Sequence, residues 1–260
     1  MRLYLGYIKM VFRTVFEYRA SFWMMSFGQF IAGFSAFAGM AMLFSRFGAL
    51  DDWNFGEVAL CFGVVNVAGA IGIAFTRGFF AFDQMIINGD FDRMLVRPRT
   101  TVIQIMGRHF GFGRVGAFIQ SFAVLFLGIH LSGVVWTADK IIILVLMILG
   151  GVAIFAGISV ISATICFYTT EALEALNILV GGGTDAASYP MTIYSKWMRG
   201  FFTFIVPYGC INYLPLMYLT GRAGGNGLLY MLSPLAGFLF LIPASFLWRM
   251  GVRKYSSTGA

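Results

Sequence analysis

The sequence predicts an all-α protein that crosses a lipid bilayer several times, and three observations predict it. Of the 260 residues, 59% are hydrophobic and only 11% charged, with a mean hydropathy of +0.83, whereas soluble domains carry about 25% charged residues. Apolar runs of span length recur along the chain, each able to cross a hydrocarbon core of about 30 Å as a helix. Lys and Arg concentrate in alternate loops, the asymmetry that orients helices in a membrane. The expected architecture is six transmembrane helices with both termini cytoplasmic, preceded by an interfacial amphipathic helix. One membrane domain would occupy residues 1–260, leaving no room for a soluble domain of typical size.

The elements follow in order. Residues 2–19 carry Arg2, Lys9, Arg13 and Glu17 on one helical face, with Leu3, Leu5, Ile8, Val11, Phe12, Val15 and Phe16 around the rest. That pattern suits a helix lying in the membrane interface rather than a cleaved signal. Span 1 is expected from about Ala20 to Ser45, then an acidic outer loop with Asp51, Asp52 and Glu57. Span 2 covers about Val58–Thr76 with Asn66 near its middle, where a hydrogen bond to another helix is expected.

Residues 77–114 form the longest charged segment, with arginines at 77, 93, 97, 99, 108 and 114 and aspartates at 83, 90 and 92. Arginine costs roughly 2.5–3.5 kcal/mol at the centre of a membrane helix, so this loop stays in the cytoplasm. Asn88-Gly89 stops one short helix, because both residues tolerate the left-handed conformation. Asp90 is placed to cap a second, Phe91–Val96, which Arg97-Pro98 ends. Two short helices at a sharp bend would present Phe91, Met94 and Leu95 as an apolar knob beside Asp90, Asp92 and Arg93. Such a knob suits docking on a soluble partner.

Span 3, about Val115–Trp136, holds Gln120, and the short turn Thr137–Lys140 makes it a hairpin with span 4, about Ile141–Tyr168. Two topologies compete beyond Glu171 and Glu174. One makes 200–219 the fifth span. The other makes the more polar 172–190 the fifth span and folds 191–226 back as a re-entrant outer segment; Pro207 and Pro215 fit both. Span 6 is about Leu228–Trp248, closed inside by Arg249, Arg253 and Lys254. Fifteen of the eighteen basic residues lie inside in the first topology, thirteen in the second.

Several chemistries are excluded. The net charge of +7 is scattered over short loops, so no nucleic-acid partner is expected. There is no G-x-x-x-x-G-K-[ST] phosphate loop, no H-E-x-x-H and no Cys spacing for a metal; Cys61, Cys166 and Cys210 read as small apolar residues. Spans 1, 2, 3, 4 and 6 contain no Asp, Glu, Lys or Arg, which disfavours an ion-coupled carrier. Such a carrier would have to use Glu171, Glu174 or Asp185. A membrane scaffold without transport is the other alternative.

Three features together carry a resemblance. They are Ile87-Asn88-Gly89-Asp90-Phe91-Asp92-Arg93-Met94-Leu95-Val96-Arg97-Pro98; Tyr189-Pro190 followed by Ile193-Tyr194, Pro207, Asn212-Tyr213-Leu214-Pro215 and Gly221; and the order of amphipathic first helix, six spans and long loop after span 2. On these the chain resembles the permease subunit of ABC-2-type ABC exporters, in particular the bacterial drug- and viologen-efflux-like branch. The resemblance implies the bacterial cytoplasmic (inner) membrane. It implies that the loop is a coupling helix docking on a separate ATPase subunit through Asp83, Gly89, Asp90, Phe91, Asp92, Arg93, Leu95, Arg97 and Pro98. It also implies a second permease chain, identical or different, with ATP and Mg held by the ATPase and no cofactor in this chain. Gln29, Asn66, Gln120, Pro207, Asn212 and Pro215 are candidates for the substrate path.

Overall fold

The computed structural model describes residues 19–50, 52–108, 111–169 and 178–256. The expected interfacial helix at 2–19 therefore lies outside the described residues, Arg19 apart. The described chain is 83% helical without strands. The long helices are α1 (Arg19–Phe47) and α2 (Phe55–Thr76). A 3-10 turn, Arg77–Ala81, leads to the short α3 (Phe82–Ile87), α4 (Asp90–Leu95) and α5 (Thr101–Arg108). Then come α6 (Val115–Leu131) and α7 (Ala138–Ile165). Four helical stretches are long and apolar enough to cross a bilayer, and up to five if one bent pair counts as a single span. The expected six would also need α6, which has 17 residues, and the segment around 172–190, of which 172–177 is not described.

The second helix is the centre of the bundle. Its residues are apolar all round, as befits a helix enclosed by others, and nearly all are buried. Its tightest neighbour is α6. A Cβ on Gly128 would overlap the Leu60 backbone, and one on Gly63 would overlap that of Leu125; the two helices meet backbone to backbone through small residues, as membrane helices do. By contrast α1 buries only Ser26, Met40 and Phe44 and turns Trp23, Phe27, Phe34 and Met42 outward. A face this apolar belongs against lipid or another protein.

Beyond α7 the chain takes the re-entrant course. A π-helical turn Ile178–Gly182 and α8 (Gly183–Ala187) reach Pro190. Next α9 (Lys196–Gly200) and the π-helical turn Phe201–Ile205 run into the bundle, and α10 (Tyr208–Ile211) and α11 (Tyr213–Leu219) run back out. The limbs are bent by 78° around Pro207, which has no N–H to carry a helix through. Both limbs begin and end at the same end of the bundle. Thr192 accepts a hydrogen bond from the Trp53 indole at 2.9 Å. At the same end, where the second limb finishes, Tyr218 donates to Asp139, Lys140 donates to the Leu219 carbonyl, and Arg222 pairs with Glu57 at 3.0 Å. Arg199, which donates to the Thr192 carbonyl, lies toward this end, where the second topology expected it. The last stretch, Gly224–Lys254, is one long helical path of α12 (Gly227–Leu232), α13 (Ala236–Leu239) and α14 (Leu241–Lys254).

Glu57 repays attention at this end. Its carboxylate completes a capping box with Asn54 at the start of α2 and is almost fully buried. Arg222 neutralises it and lies over the Trp53 ring at 4.5 Å. Removing a partner from a buried charge is expensive, though Arg222 is itself a third exposed and partly screened. Arg222→Ala is therefore expected to lower stability by about 1–2 kcal/mol, with Arg222→Lys intermediate, measured by thermal unfolding in detergent.

Candidate functional site: a clamped elbow and a polar cavity

The charged loop folds as a bent arm. Gly89 adopts φ 67°, the left-handed conformation the Asn-Gly pair suggested, and separates α3 from α4. It occupies the cap position that Asp90 was expected to fill. Asp90 instead opens α4, where it pairs with Arg108 of α5 and, at 3.6 Å, with Arg93. Asp83 is buried on α3; one carboxylate oxygen accepts from Gln84 and the other has no hydrogen-bond partner among the described residues. The Gln104 amide ties the arm together by donating to the carbonyls of Met94 and Arg99.

The expected apolar knob is largely reversed. Phe91 and Met94 point into the protein. Phe91 sits edge-on to Phe82 and to Tyr255, at 5.1 Å each, and packs on Phe167 at 5.5 Å. Trp248 contacts Phe79, Phe82 and Phe167 at 5.2–5.6 Å and donates from its indole to Thr101. The physical reason is the helical period. Phe91 and Met94 share one face of α4, and that face meets the aromatic ends of α7 and α14. The outward face carries Ile87, Arg93, Leu95, Val96 and Arg97, with Val96 84% exposed. Arg93, Arg97 and Arg108 border a groove of about 270 Å³ around Asp90, a basic notch on the outside of the arm.

A second feature lies within the bundle. A cavity of about 450 Å³ is lined by Gln29 and Gly33 of α1, Asn66 and Ile73 of α2, Phe80, Arg114, Gln120 of α6, and Thr184 and Asp185 of α8. Three of the expected path residues, Gln29, Asn66 and Gln120, meet here. Asn66 makes the hydrogen bond across elements expected of it, to Ser188 at 3.3 Å, and another to the Phe62 carbonyl within its own helix. Pro207, Asn212 and Pro215 do not line this cavity. Pro207 forms the hairpin tip, Pro215 is buried in α11, and Asn212 is fully buried with its amide donating to the Ala187 carbonyl; all three shape the re-entrant segment. Arg114 at the mouth of α6 and Asp185 are the charged members of the lining, and only Asp185 was singled out from sequence, as a residue for ion coupling.

The comparisons with known proteins bear on these features. A family model described as ABC-2 family transporter protein matches residues 30–259. No curated protein and no solved structure matches the chain.

Proposed function

This chain belongs to the ABC-2 family of transporter proteins, and from that premise we propose that it is an exporter permease driven through the bent arm by a separate ATPase subunit. The observation that carries the reading is the two-sidedness of α4. Its inner face is locked into the aromatic ends of α7 and α14, and its outer face offers Leu95, Val96 and the arginine-rimmed notch. A partner gripping the outer face would move the long helices with it, because close-packed aromatic contacts transmit displacement. Of the proposed coupling residues Asp83, Gly89, Asp90, Phe91, Asp92, Arg93, Leu95, Arg97 and Pro98, six take one of three tasks. Gly89 sets the bend, Asp90 and Phe91 hold the arm to the bundle, and Arg93, Leu95 and Arg97 meet the partner.

ATP and Mg would be bound by that ATPase subunit. A second permease chain, identical or different, would cover exposed apolar surface such as that of α1. The arm faces the cytoplasm of a bacterial inner membrane in this reading, as do both termini, since the sequence assigns thirteen of the eighteen basic residues to that side. The drug- and viologen-efflux-like branch is the placement the loop and Tyr189-Pro190 motifs favour; it carries topology and leaves the cargo to the cavity. Gln29, Asn66 and Gln120 would line the path.

The test uses the complex with its ATPase in proteoliposomes. Leu95→Asp with Val96→Asp is expected to change stability by no more than about 0.5 kcal/mol, as both side chains are exposed, while reducing ATP-coupled flux about tenfold or more. Unchanged coupled flux would remove the arm from the coupling route. A second reading, ion coupling through Asp185, is favoured by that residue's place in the cavity wall. It requires flux that persists without ATP and stops when the proton gradient is dissipated.

A further inference from the structure

We infer that the cavity between α1, α2, α6 and α8 receives the anionic group of an amphiphile, held by Arg114 and Gln120. This rests on the exporter reading above and names the chemistry of its cargo site. Arg114 immediately precedes α6 and lines the cavity. Among the described residues no ion pair joins Arg114 to an acidic side chain. Asp185 shares the lining without pairing to it. A like charge, Arg77, acts on it and is itself held over the ring of Phe80, which also lines the cavity. Burial, with Arg77 beside it, pulls the Arg114 guanidinium down to about 10, so it is still a cation at neutral pH. Arg114 at the positive end of a 17-residue helix, with Arg77 adding its charge from nearby, makes a local field that favours an anion.

Gln120 is the independent observation. It is 3% exposed, lines the cavity, and its Nε2 has no hydrogen-bond partner among the described residues. A buried donor left unmade is costly unless a ligand satisfies it. The protein makes room for this amide: a Cβ on Gly33 would press on Gln120 Oε1. Asn66, in contrast, has spent its amide hydrogens on Phe62 and Ser188 and offers its oxygen. Ala70, Ile73, Phe80, Ala117 and Val180 give the wall an apolar part beside the polar Gln29, Thr184 and Asp185, and the volume is that of an ordinary small-molecule pocket. An anionic head with a hydrocarbon body fits both parts. A dication meets Arg77 and Arg114 as like charges.

The experiment measures binding to the permease–ATPase complex in phosphatidylcholine nanodiscs without nucleotide. The probes are dodecyl phosphate and dodecyltrimethylammonium, which share one tail. Wild type is expected to bind the phosphate about tenfold or more tightly than the cation. Arg114→Gln should abolish that preference, Arg114→Lys should retain most of it, and Gln120→Leu should weaken phosphate binding several-fold. Equal affinity for the two probes, or an undiminished preference in Arg114→Gln, overturns the inference. The Lys variant separates loss of charge from loss of fold. Adding phosphatidylglycerol distinguishes the sources: if it displaces dodecyl phosphate, the anion is a lipid head group; if it does not, the site prefers a free amphiphile, and the anion site stands in both cases. Because nucleotide is absent, failure of ATP-driven transport with the preference intact would refute the exporter reading and leave this one standing.

Discussion

Phe91→Ala is expected to destabilise the chain by about 3–5 kcal/mol and to abolish ATPase stimulation by the permease. The ring is fully buried and touches Phe82, Phe167, Trp248 and Tyr255. Truncation removes the transfer energy of a whole phenyl group and leaves a void between three segments of the sequence, which cannot all collapse into it. Leu95→Ala, four residues on but 41% exposed, is expected to stay within about 0.5 kcal/mol. Thermal unfolding of both variants in detergent gives the comparison. Equal midpoints would mean that the inner face of α4 does not hold the arm, and the lever reading would lose its mechanical basis.

Gly78→Ala should act on the same arm from the other side, by about 3 kcal/mol, the upper end for an overpacked site. A Cβ at this position would overlap the backbone carbonyl of Ile105. No side-chain rotation relieves an overlap with backbone, so α5 must separate from the 3-10 turn Arg77–Ala81. Separation would break the contact of Ile105 with its core and loosen the Gln104 ties to Met94 and Arg99. A local opening free energy reduced by that amount raises the open population about a hundredfold. Limited trypsin digestion reads it directly, as faster cleavage after Arg93 and Arg99. An unchanged cleavage rate would show that the turn and α5 are less closely joined than the packing implies.

Much of this was legible in the residues. Charge scarcity marked the membrane helices, and the Asn88-Gly89 pair marked the bend, because both signals are local. The reversal of Phe91 was not, since its aromatic partners Phe167, Trp248 and Tyr255 come from span ends far along the chain. The competition between Asp90 and Gly89 for the cap position was lost to Gly89's left-handed φ, which leaves Asp90 to meet Arg108. Gln29, Asn66 and Gln120 stood out as polar residues in apolar spans, and they converge. Arg114 was counted with the loop charges, because nothing in its neighbours reveals a cavity wall built from four other segments. The prolines announced a break without saying which way the chain turns; Trp53 to Thr192 and Glu57 to Arg222 decide that, and both are contacts between distant residues.

The aromatic clamp has a consequence for biogenesis. Phe82 and Phe91 leave the ribosome long before Trp248 and Tyr255, so the arm spends most of translation with one wall missing. Until α14 is inserted, its sticky rings are open to chaperones and proteases. A partner that reads only the finished outer face would be denied a firm handle on every nascent or truncated chain, and assembly would wait for synthesis to run its course.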